Sequence, residues 1–215
     1  MCIRDRIGPA GCGKTYLSVH KALRELGDKE SSIDGIVIVK PLVEAAGEKI
    51  GFLPGDVEEK TAPFMMSFYY NMEQIIGKQR LDVLRAAGIV KVVPLAYMRG
   101  RTLNDAFLIL DEAQNTTPAQ MRMVLTRLGE RSRMVVTGDV TQQDLPPGQL
   151  SGLVEAAEVM DGVPGVAVCH LTAADVVRHP LVQRVVEAYA SFDEQAHPQT
   201  GADSGLLPGP EVEQP

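Results

Sequence analysis

A phosphate-binding loop near the start of the chain constrains the fold more than any other feature. The pattern G-x-x-x-x-G-K-[ST] is matched in full by Gly8, Pro9, Ala10, Gly11, Cys12, Gly13, Lys14 and Thr15. Such a loop surrounds a phosphate with backbone N–H groups and delivers it to the positive end of the next helix. We expect Lys14 to reach the β- and γ-phosphates and Thr15 to bind Mg²⁺. The alternative is a glycine-rich turn that only caps a helix.

Short β-branched runs alternate with helical patterns along the chain. The runs cover 36–39, 89–93, 107–110, 134–136 and 166–171, and the helical patterns cover 14–26, 121–128, 150–157 and 182–189. Continuous apolar runs of this kind are typical of parallel strands buried on both faces. We therefore predict an α/β fold, a doubly wound parallel sheet of the P-loop NTPase type. Two longer helical stretches are predicted to form a helical insertion at about 57–88.

The segment before the loop does not look like a buried strand. It carries Arg4, Asp5 and Arg6, and charged residues are rarely buried in the centre of a sheet. We therefore expect residues 1–6 to be a non-native N-terminal segment outside the fold, and the first strand of the sheet to be truncated. The domain is then predicted to cover residues 7–190.

The formal net charge of −7 is concentrated at the C-terminus. Five of the 28 acidic residues lie in 191–215, which has no Lys or Arg. The rest of the chain therefore has 21 basic and 23 acidic residues, a net charge of −2. Residues 191–215 also contain four prolines, which predicts a disordered acidic tail. No apolar run approaches the ~20 residues that span a membrane, and the sequence shows no signal-peptide h-region, so we expect a cytoplasmic protein with no membrane partner.

Two carboxylates end the apolar run that begins at Phe107. We expect Asp111 to orient Mg²⁺ and the adjacent Glu112 to polarise an attacking water. A carboxylate directly after the metal-binding aspartate favours hydrolysis over transfer to a substrate hydroxyl. Two acids at a strand end are otherwise consistent with a helix cap.

Polar residues follow the next run as well. Thr137, Asp139 and Gln142 are candidates to contact the γ-phosphate or the attacking water. The alternative is an Asp/Gly turn that its own side chains stabilise. Arg178, at the start of the last helical pattern, is a further candidate for phosphate contact, with a solvated first-turn arginine as the alternative.

Several segments together resemble the PhoH-like ATPases over about residues 8–190. The matching segments are Gly8 to Thr15, Gly47 to Gly55, Tyr97 to Thr102, Leu110 to Asn115, Thr137 to Asp139 and Arg178 to Pro180. The resemblance implies a RecA-like ATP-binding core related to superfamily 1 helicases, in a cytoplasmic family that is associated by name with phosphate starvation and in which some members act on RNA. Lys40 departs from the pattern, because the family usually has Arg there.

These observations predict a Mg²⁺-dependent ATPase, and the resemblance implies an RNA-directed, helicase-like role. ATP as the nucleotide follows from the resemblance, and the absence of an N-K-x-D guanine signature agrees with it. Arg99 and Arg101 are candidates for contact with single-stranded RNA phosphates, with a solvated loop as the alternative. Arg178 is the candidate that completes the site of a neighbouring subunit in a homo-oligomeric ring, a hexamer by resemblance.

Three other functions remain open at this stage. A nucleotide-dependent switch would bind ATP without turnover. A small-molecule kinase would use the same loop with a substrate hydroxyl in place of water. A truncated chain would be inert although its parent is active.

Overall fold

The computed structural model describes residues 2–7, 11–41, 57–146, 148–172, 175–176, 181–182, 184–185 and 188, and for 2–7 and 57–65 it describes the backbone alone. The strands are β1 (Cys2–Ile7), β2 (Gly35–Lys40), β3 (Val90–Pro94), β4 (Ala106–Leu110), β5 (Arg133–Gly138) and β6 (Val166–His170). The helices are α1 (Lys14–Gly27), α2 (Val57–Ile76), α3 (Lys78–Ala86), α4 (Pro118–Leu125) and α5 (Gly152–Met160). Short 3-10 turns cover Leu95–Met98 and Ala113–Asn115.

The strands form one parallel sheet in the order β3-β2-β4-β5-β1-β6. All five residues of β4 are buried, as are the four central residues of β2. This burial agrees with the continuous apolar runs, since strands covered on both faces have no solvent side to alternate toward. The predicted doubly wound α/β sheet is confirmed.

Successive strand residues divide the core into two layers. One layer joins the inner faces of α1, α2 and α3 to Ile36, Ile38, Phe107, Ile109 and Val135. The other joins α4 and α5 to Val37, Val39, Leu108, Leu110, Met134 and Val136. The alternation follows from the two-residue period of a strand, which sends neighbouring side chains to opposite faces. Helices on both faces therefore exclude water from the sheet that positions the site.

The first strand is present, which corrects the expectation of a truncated sheet. The backbone of Cys2–Ile7 pairs with β5 on one side and with β6 on the other. The exclusion of residues 1–6 from the fold is therefore wrong. The inference relied on side-chain charge, whereas the ladder of a parallel sheet is made by backbone N–H and C=O groups. The non-native origin of residues 1–6 stays a prediction.

A capping box fixes the start of α4. The Thr117 hydroxyl accepts from the Gln120 backbone N–H at 3.3 Å, and the Gln120 side chain accepts from the Thr117 N–H at 2.9 Å. Pro118 occupies the first helical position, where its missing N–H costs nothing. The helix thus begins at Pro118, three residues before the predicted helical pattern at 121–128.

Met1–Val177 and Arg178–Pro215 form two separate compact units. In the second unit, the described positions 181, 182, 184, 185 and 188 are helical, and the predicted disordered tail at 191–215 lies outside the described residues. Across the described part of the chain, no helix combines the length and hydrophobicity needed to cross a membrane.

Glu25, near the end of α1, is the centre of a polar cluster at the amino edge of the sheet. Its buried carboxylate pairs with Lys21 at 2.6 Å and with Arg133, and it accepts from the Ser31 hydroxyl at 3.2 Å. Burial acts to raise the pKa of Glu25, but the Lys21 hydrogen bond and the charges of Arg133 and Lys21 outweigh it and hold the pKa below its ordinary value. The ionised carboxylate therefore stabilises the contact between α1 and β5.

We predict that Glu25→Gln lowers the free energy of unfolding by about 1–2 kcal/mol, because it removes ionic hydrogen bonds from a buried position. A lowered folded-state pKa contributes stability above the ordinary value of 4.5 and loses it as the pH falls through the folded-state value. The difference between wild type and variant in urea denaturation should thus be full at pH 7 and shrink below pH 4.5. Glu130→Gln, at an exposed carboxylate 3.8 Å from Arg131, is the control and should change little. Equal effects of the two substitutions would contradict the cluster's role.

Candidate active site

A cleft of about 340 Å³ opens where the carboxyl ends of β4 and β5 meet the start of α1. Its lining consists of Gly11, Gly13, Lys14, Thr15, Tyr16, Asn71, Asp111, Glu112, Asp139 and Gln142. Six of these were singled out from the sequence for the chemistry of their side chains, and the fold brings them together although they lie up to 128 positions apart. Carboxyl ends of parallel strands, next to a reversal of strand order, are the usual ligand site of such sheets.

The described part of the phosphate-binding loop has the backbone conformation that the motif requires. Gly11 and Gly13 have φ values of 84° and 75°, in the left-handed region that favours glycine. Gly13 is the N-cap of α1 and provides no side-chain cap, so the first N–H groups of this helix point toward the loop. The Cys12 side chain is buried, 3.9 Å from the Lys14 ammonium, as a small packed residue. Gly8, Pro9 and Ala10 lie outside the described residues.

Asp111, directly after β4, is the central carboxylate of the cleft and is almost fully buried. Its oxygens accept from the Thr15 hydroxyl at 3.1 and 3.3 Å and from the Thr137 hydroxyl. Burial raises the pKa of Asp111, and the charge of Glu112 adds to the rise, whereas the Thr137 and Thr15 hydrogen bonds and the charge of Lys40 oppose it. Lys40 thus acts on the site by its charge, although it departs from the family pattern.

Glu112 lies beside Asp111 in an unusual backbone conformation. Its φ of 52° and ψ of 39° are left-handed, which costs a residue with a side chain about 1–2 kcal/mol. The Gln114 amide nitrogen donates to Glu112 Oε2 at 2.7 Å. The other oxygen, Oε1, has no hydrogen-bond partner among the residues that the structure describes. The carboxylate is therefore held by one oxygen, with the other left for a ligand of the cleft.

Asp139, just past the end of β5, combines a local turn with an unsatisfied oxygen. Its Oδ1 accepts from the backbone N–H and the hydroxyl of Thr141 at 3.0 and 2.6 Å, which is the self-stabilised turn considered as the alternative. Its Oδ2 is buried and, within the described ranges, has no hydrogen-bond partner. An orphaned buried carboxylate oxygen costs free energy unless a ligand, an ion or water satisfies it. The turn thus explains the hydrogen bonds of Oδ1, and the unpaired Oδ2 is consistent with contact to a ligand of the cleft. Gln142 lines the same cleft.

The oxygen atoms at this point fit a magnesium ion. The Thr15 hydroxyl and an Asp111 oxygen lie 3.1 Å apart, and both are hard donors. In phosphoryl-transfer sites Mg²⁺ takes one or two protein oxygens, keeps several waters and binds the substrate phosphates. This donor set matches that preference.

Sequence reasoning missed three residues of the site. Asn71 and Tyr16 line the cleft. The side-chain amide of Gln114 connects Glu112 to Asp139: its nitrogen donates to the Glu112 carboxylate, and its oxygen accepts a hydrogen bond from the Asp139 backbone N–H at 2.9 Å. Asn71 gave no usable signal, because it reaches the cleft only through the packing of α2 on α1. Gln114 did give one, as a polar residue two positions after the carboxylate pair.

Two of the predicted contact residues lie elsewhere. Arg99 and Arg101 are exposed between β3 and β4, outside the cleft, on either side of Gly100 with a φ of 76°. Arg178 lies outside the described residues, so its contact with phosphate and its role in a ring stay predictions.

Fold and loop together define a P-loop NTPase domain, and comparison with known proteins identifies its family. Residues 3–190 match the sequence model of a protein family that is described as PhoH-like protein. A PhoH-like protein of Bacillus subtilis (strain 168) is 54% identical over 183 residues, which are 85% of this chain and 56% of that protein. A PhoH-like protein of Synechocystis sp. is 53% identical over 192 residues, 89% of this chain and 58% of that protein. Protein PhoH of Escherichia coli (strain K12) is 45% identical over 185 residues, 85% of this chain and 51% of that protein.

The chain belongs to the PhoH-like protein family, whose members are generally ATP-binding proteins. It spans a little over half the length of these relatives.

We predict that Asp111→Asn raises the melting temperature of the protein in EDTA without nucleotide. A raised folded-state pKa means that the neutral carboxyl is the form that favours folding, and this stability is lost as the pH rises above the ordinary value of 3.8. Asn stays neutral, so at pH 7.5 the melting temperature should rise by about 2–4 °C for each kcal/mol gained in the free energy of unfolding. Differential scanning calorimetry measures it, with the exposed Asp82→Asn as control. A melting temperature below that of wild type would contradict this account of the Asp111 carboxyl.

Proposed function

We propose that this chain binds ATP with Mg²⁺ and hydrolyses it to ADP and phosphate. The observation that carries the proposal is the arrangement of Lys14, Thr15, Asp111 and Glu112 around one cleft, with the Thr15 hydroxyl hydrogen-bonded to Asp111. A phosphate-binding lysine, an oxygen pair suited to Mg²⁺ and a carboxylate for water are the parts that triphosphate hydrolysis needs. Membership of the PhoH-like family supports ATP as the nucleotide.

Binding of the triphosphate falls to the loop and the start of α1. The Lys14 ammonium neutralises the β- and γ-phosphates, while the N–H groups at the helix start donate to phosphate oxygens. Thr15 and Asp111 would hold Mg²⁺, which supplies a Lewis acid that offsets charge on the phosphates when bound. Asp111 is suited to this role, because its burial makes an unpaired negative charge unfavourable there.

The chemical step needs a base for water, and Glu112 is our candidate. Water attacks the γ-phosphorus, its proton passes to Glu112 Oε1, and the bond from the γ-phosphorus to the β,γ-bridging oxygen breaks, which releases ADP. The proton then returns to solvent or to phosphate. Asp139 and Gln142, at the rim formed by β5, are candidates to orient the γ-phosphate or the water.

The two rival functions differ from hydrolysis in their products. A kinase transfers the phosphoryl group to an added acceptor and releases little phosphate without one. A switch binds ATP and releases none over many minutes. Glu112 beside the Mg²⁺ ligands favours water as the acceptor, and steady-state phosphate release without an acceptor separates the three.

Replacing Glu112 by Gln should lower phosphate release at least ~100-fold, because general-base catalysis contributes about that much. ATP affinity should stay within about threefold of wild type, since Gln keeps the size of the side chain and the loop is untouched. Lys14→Ala is the comparison variant, in which affinity for a fluorescent ATP analogue should fall as well. Unchanged turnover in Glu112→Gln would remove the assignment of Glu112 as base.

The second part of the proposal is an RNA ligand at the loop between β3 and β4. Arg99 and Arg101 are exposed there, and neither has a side-chain partner among the residues that the structure describes. Tyr97, 52% exposed, lies two positions before Arg99 in the sequence and provides a ring on which a base can stack. Exposed guanidinium groups and an exposed aromatic ring in one segment suit the phosphates and bases of a single strand.

We expect Arg99→Ala combined with Arg101→Ala to weaken binding of single-stranded RNA and to flatten its salt dependence. Losing two phosphate contacts should reduce the slope of log affinity against log salt by about 1.4, at about 0.7 per contact. Fluorescence anisotropy at several salt concentrations measures the slope. Lys78→Ala with Arg80→Ala removes the same charge from α3 and should leave the slope unchanged. Equal slopes for the parent and both double variants would exclude the loop as an RNA contact.

The proposal extends to a homo-oligomeric ring in the cytoplasm. Charge on the transferred phosphoryl group is commonly offset by an arginine from elsewhere. Among the described residues that line the cleft, Lys14 is the one cation. Arg178 of a neighbouring subunit is our candidate for the second.

A further inference from the structure

Gln114 uses both ends of its side-chain amide inside the protein. It is the middle residue of the 3-10 turn Ala113–Asn115 and is 1% exposed. Its nitrogen donates to Glu112 Oε2 at 2.7 Å, and its oxygen accepts from the Asp139 backbone N–H at 2.9 Å. One planar group therefore connects the carboxylate after β4 to the segment after β5.

The surroundings of Gln114 leave this amide little freedom. The Ser151 hydroxyl donates to the Gln114 backbone oxygen at 2.9 Å. Gly138 packs against the other side, and a Cβ atom there would lie 2.8 Å from Gln114 Oε1 and 3.1 Å from its backbone nitrogen. The same Cβ atom would lie closer still to Leu153 Cδ2, so a side chain at position 138 would crowd both Leu153 and the Gln114 amide, and glycine at this point leaves room for both.

The amide chemistry of this position is specific. Glu112 needs a donor and the Asp139 N–H needs an acceptor, and an amide side chain supplies both. A glutamate at 114 would keep the acceptor but place a second negative charge against Glu112. A leucine would remove both hydrogen bonds and leave the buried Asp139 N–H unsatisfied.

We propose that Gln114 is a positioning residue for hydrolysis, which holds Glu112 by Oε2 so that Oε1 is presented to water. The inference rests on the proposed function. Because the same amide is hydrogen-bonded to Asp139, the orientation of Glu112 is tied to the segment that carries Gln142. When a γ-phosphate binds beside that segment, any shift of the segment then reaches Glu112, the proposed base, through the Gln114 side chain.

The test compares Gln114→Glu and Gln114→Leu with the matched variant Asn115→Leu. Asn115 is the adjacent buried amide, and its side chain is hydrogen-bonded to Asp144, whose N–H donates to the Asn115 oxygen at 2.9 Å. Its one hydrogen bond to Glu112 joins the two backbones, from the Asn115 N–H to the Glu112 oxygen at 3.0 Å, and a substitution of the side chain keeps it. Gln114→Glu and Gln114→Leu should lower kcat for phosphate release about 10- to 100-fold, as expected when a catalytic group is misplaced. KM and the affinity for a non-hydrolysable ATP analogue should stay within about twofold, while Asn115→Leu should keep kcat within about threefold.

Amide hydrogen exchange of Asp139 in the nucleotide-free protein gives a readout that is independent of turnover. Exchange should speed up in Gln114→Leu, which lacks the acceptor, and stay slow in Gln114→Glu, which keeps it. The Glu variant therefore loses kcat with the Asp139 hydrogen bond intact, which a purely structural role does not produce. It also keeps the inference testable if the Leu variant does not fold.

The outcomes separate the two proposals. A wild-type protein that binds ATP but releases no phosphate overturns the proposed function and this inference with it. A wild type that hydrolyses ATP beside a Gln114→Glu variant within twofold of its kcat overturns the inference alone. Equal losses of kcat in Gln114→Glu and Asn115→Leu also overturn it, because they indicate general damage to the turn.

Discussion

The hydroxyl groups of Thr15 and Thr137 both donate to the buried carboxylate of Asp111, and the geometry of the site depends on this contact. It joins the first turn of α1, the end of β4 and the end of β5, three segments that are far apart in sequence. A buried carboxylate is costly, as its raised pKa reflects. A cation bound beside it would offset this cost, which agrees with our proposal that a triphosphate brings Mg²⁺ to this point.

The order of the strands explains why these segments meet. β5 lies between β1, which leads into the loop, and β4, which ends in the carboxylate pair. From β1 the chain crosses through α1 to β2 on one side of the sheet, and from β5 it crosses through α5 to β6 on the other. All six strands are parallel, so the loop after β1 and the carboxylate pair after β4 lie at the same edge of the sheet, with β5 alone between their strands. Thr137 and Asp139 follow from this placement, since any residue at the end of β5 lies between the loop and Asp111.

Much of this arrangement was predictable because it rests on local and periodic signals. The apolar run from Phe107 and the Thr117-Pro118 cap locate β4 and α4, and motif chemistry pairs Thr15 with Asp111. β1 was mispredicted, since its place depends on backbone pairing with strands more than 125 residues away and not on its own charged side chains. Gln114 was missed for a related reason. Its partners, Glu112 and the Asp139 N–H, meet only once β4 and β5 lie side by side.

The central claim is that the cleft at Asp111 binds a triphosphate together with Mg²⁺, and calorimetric titration tests it most directly. The chain is titrated with a non-hydrolysable ATP analogue, once in Mg²⁺ and once in EDTA. We expect one site per chain, with affinity at least ~10-fold higher in Mg²⁺, which corresponds to about 1.4 kcal/mol. Binding of equal strength in both buffers, or no binding in Mg²⁺, would contradict the account.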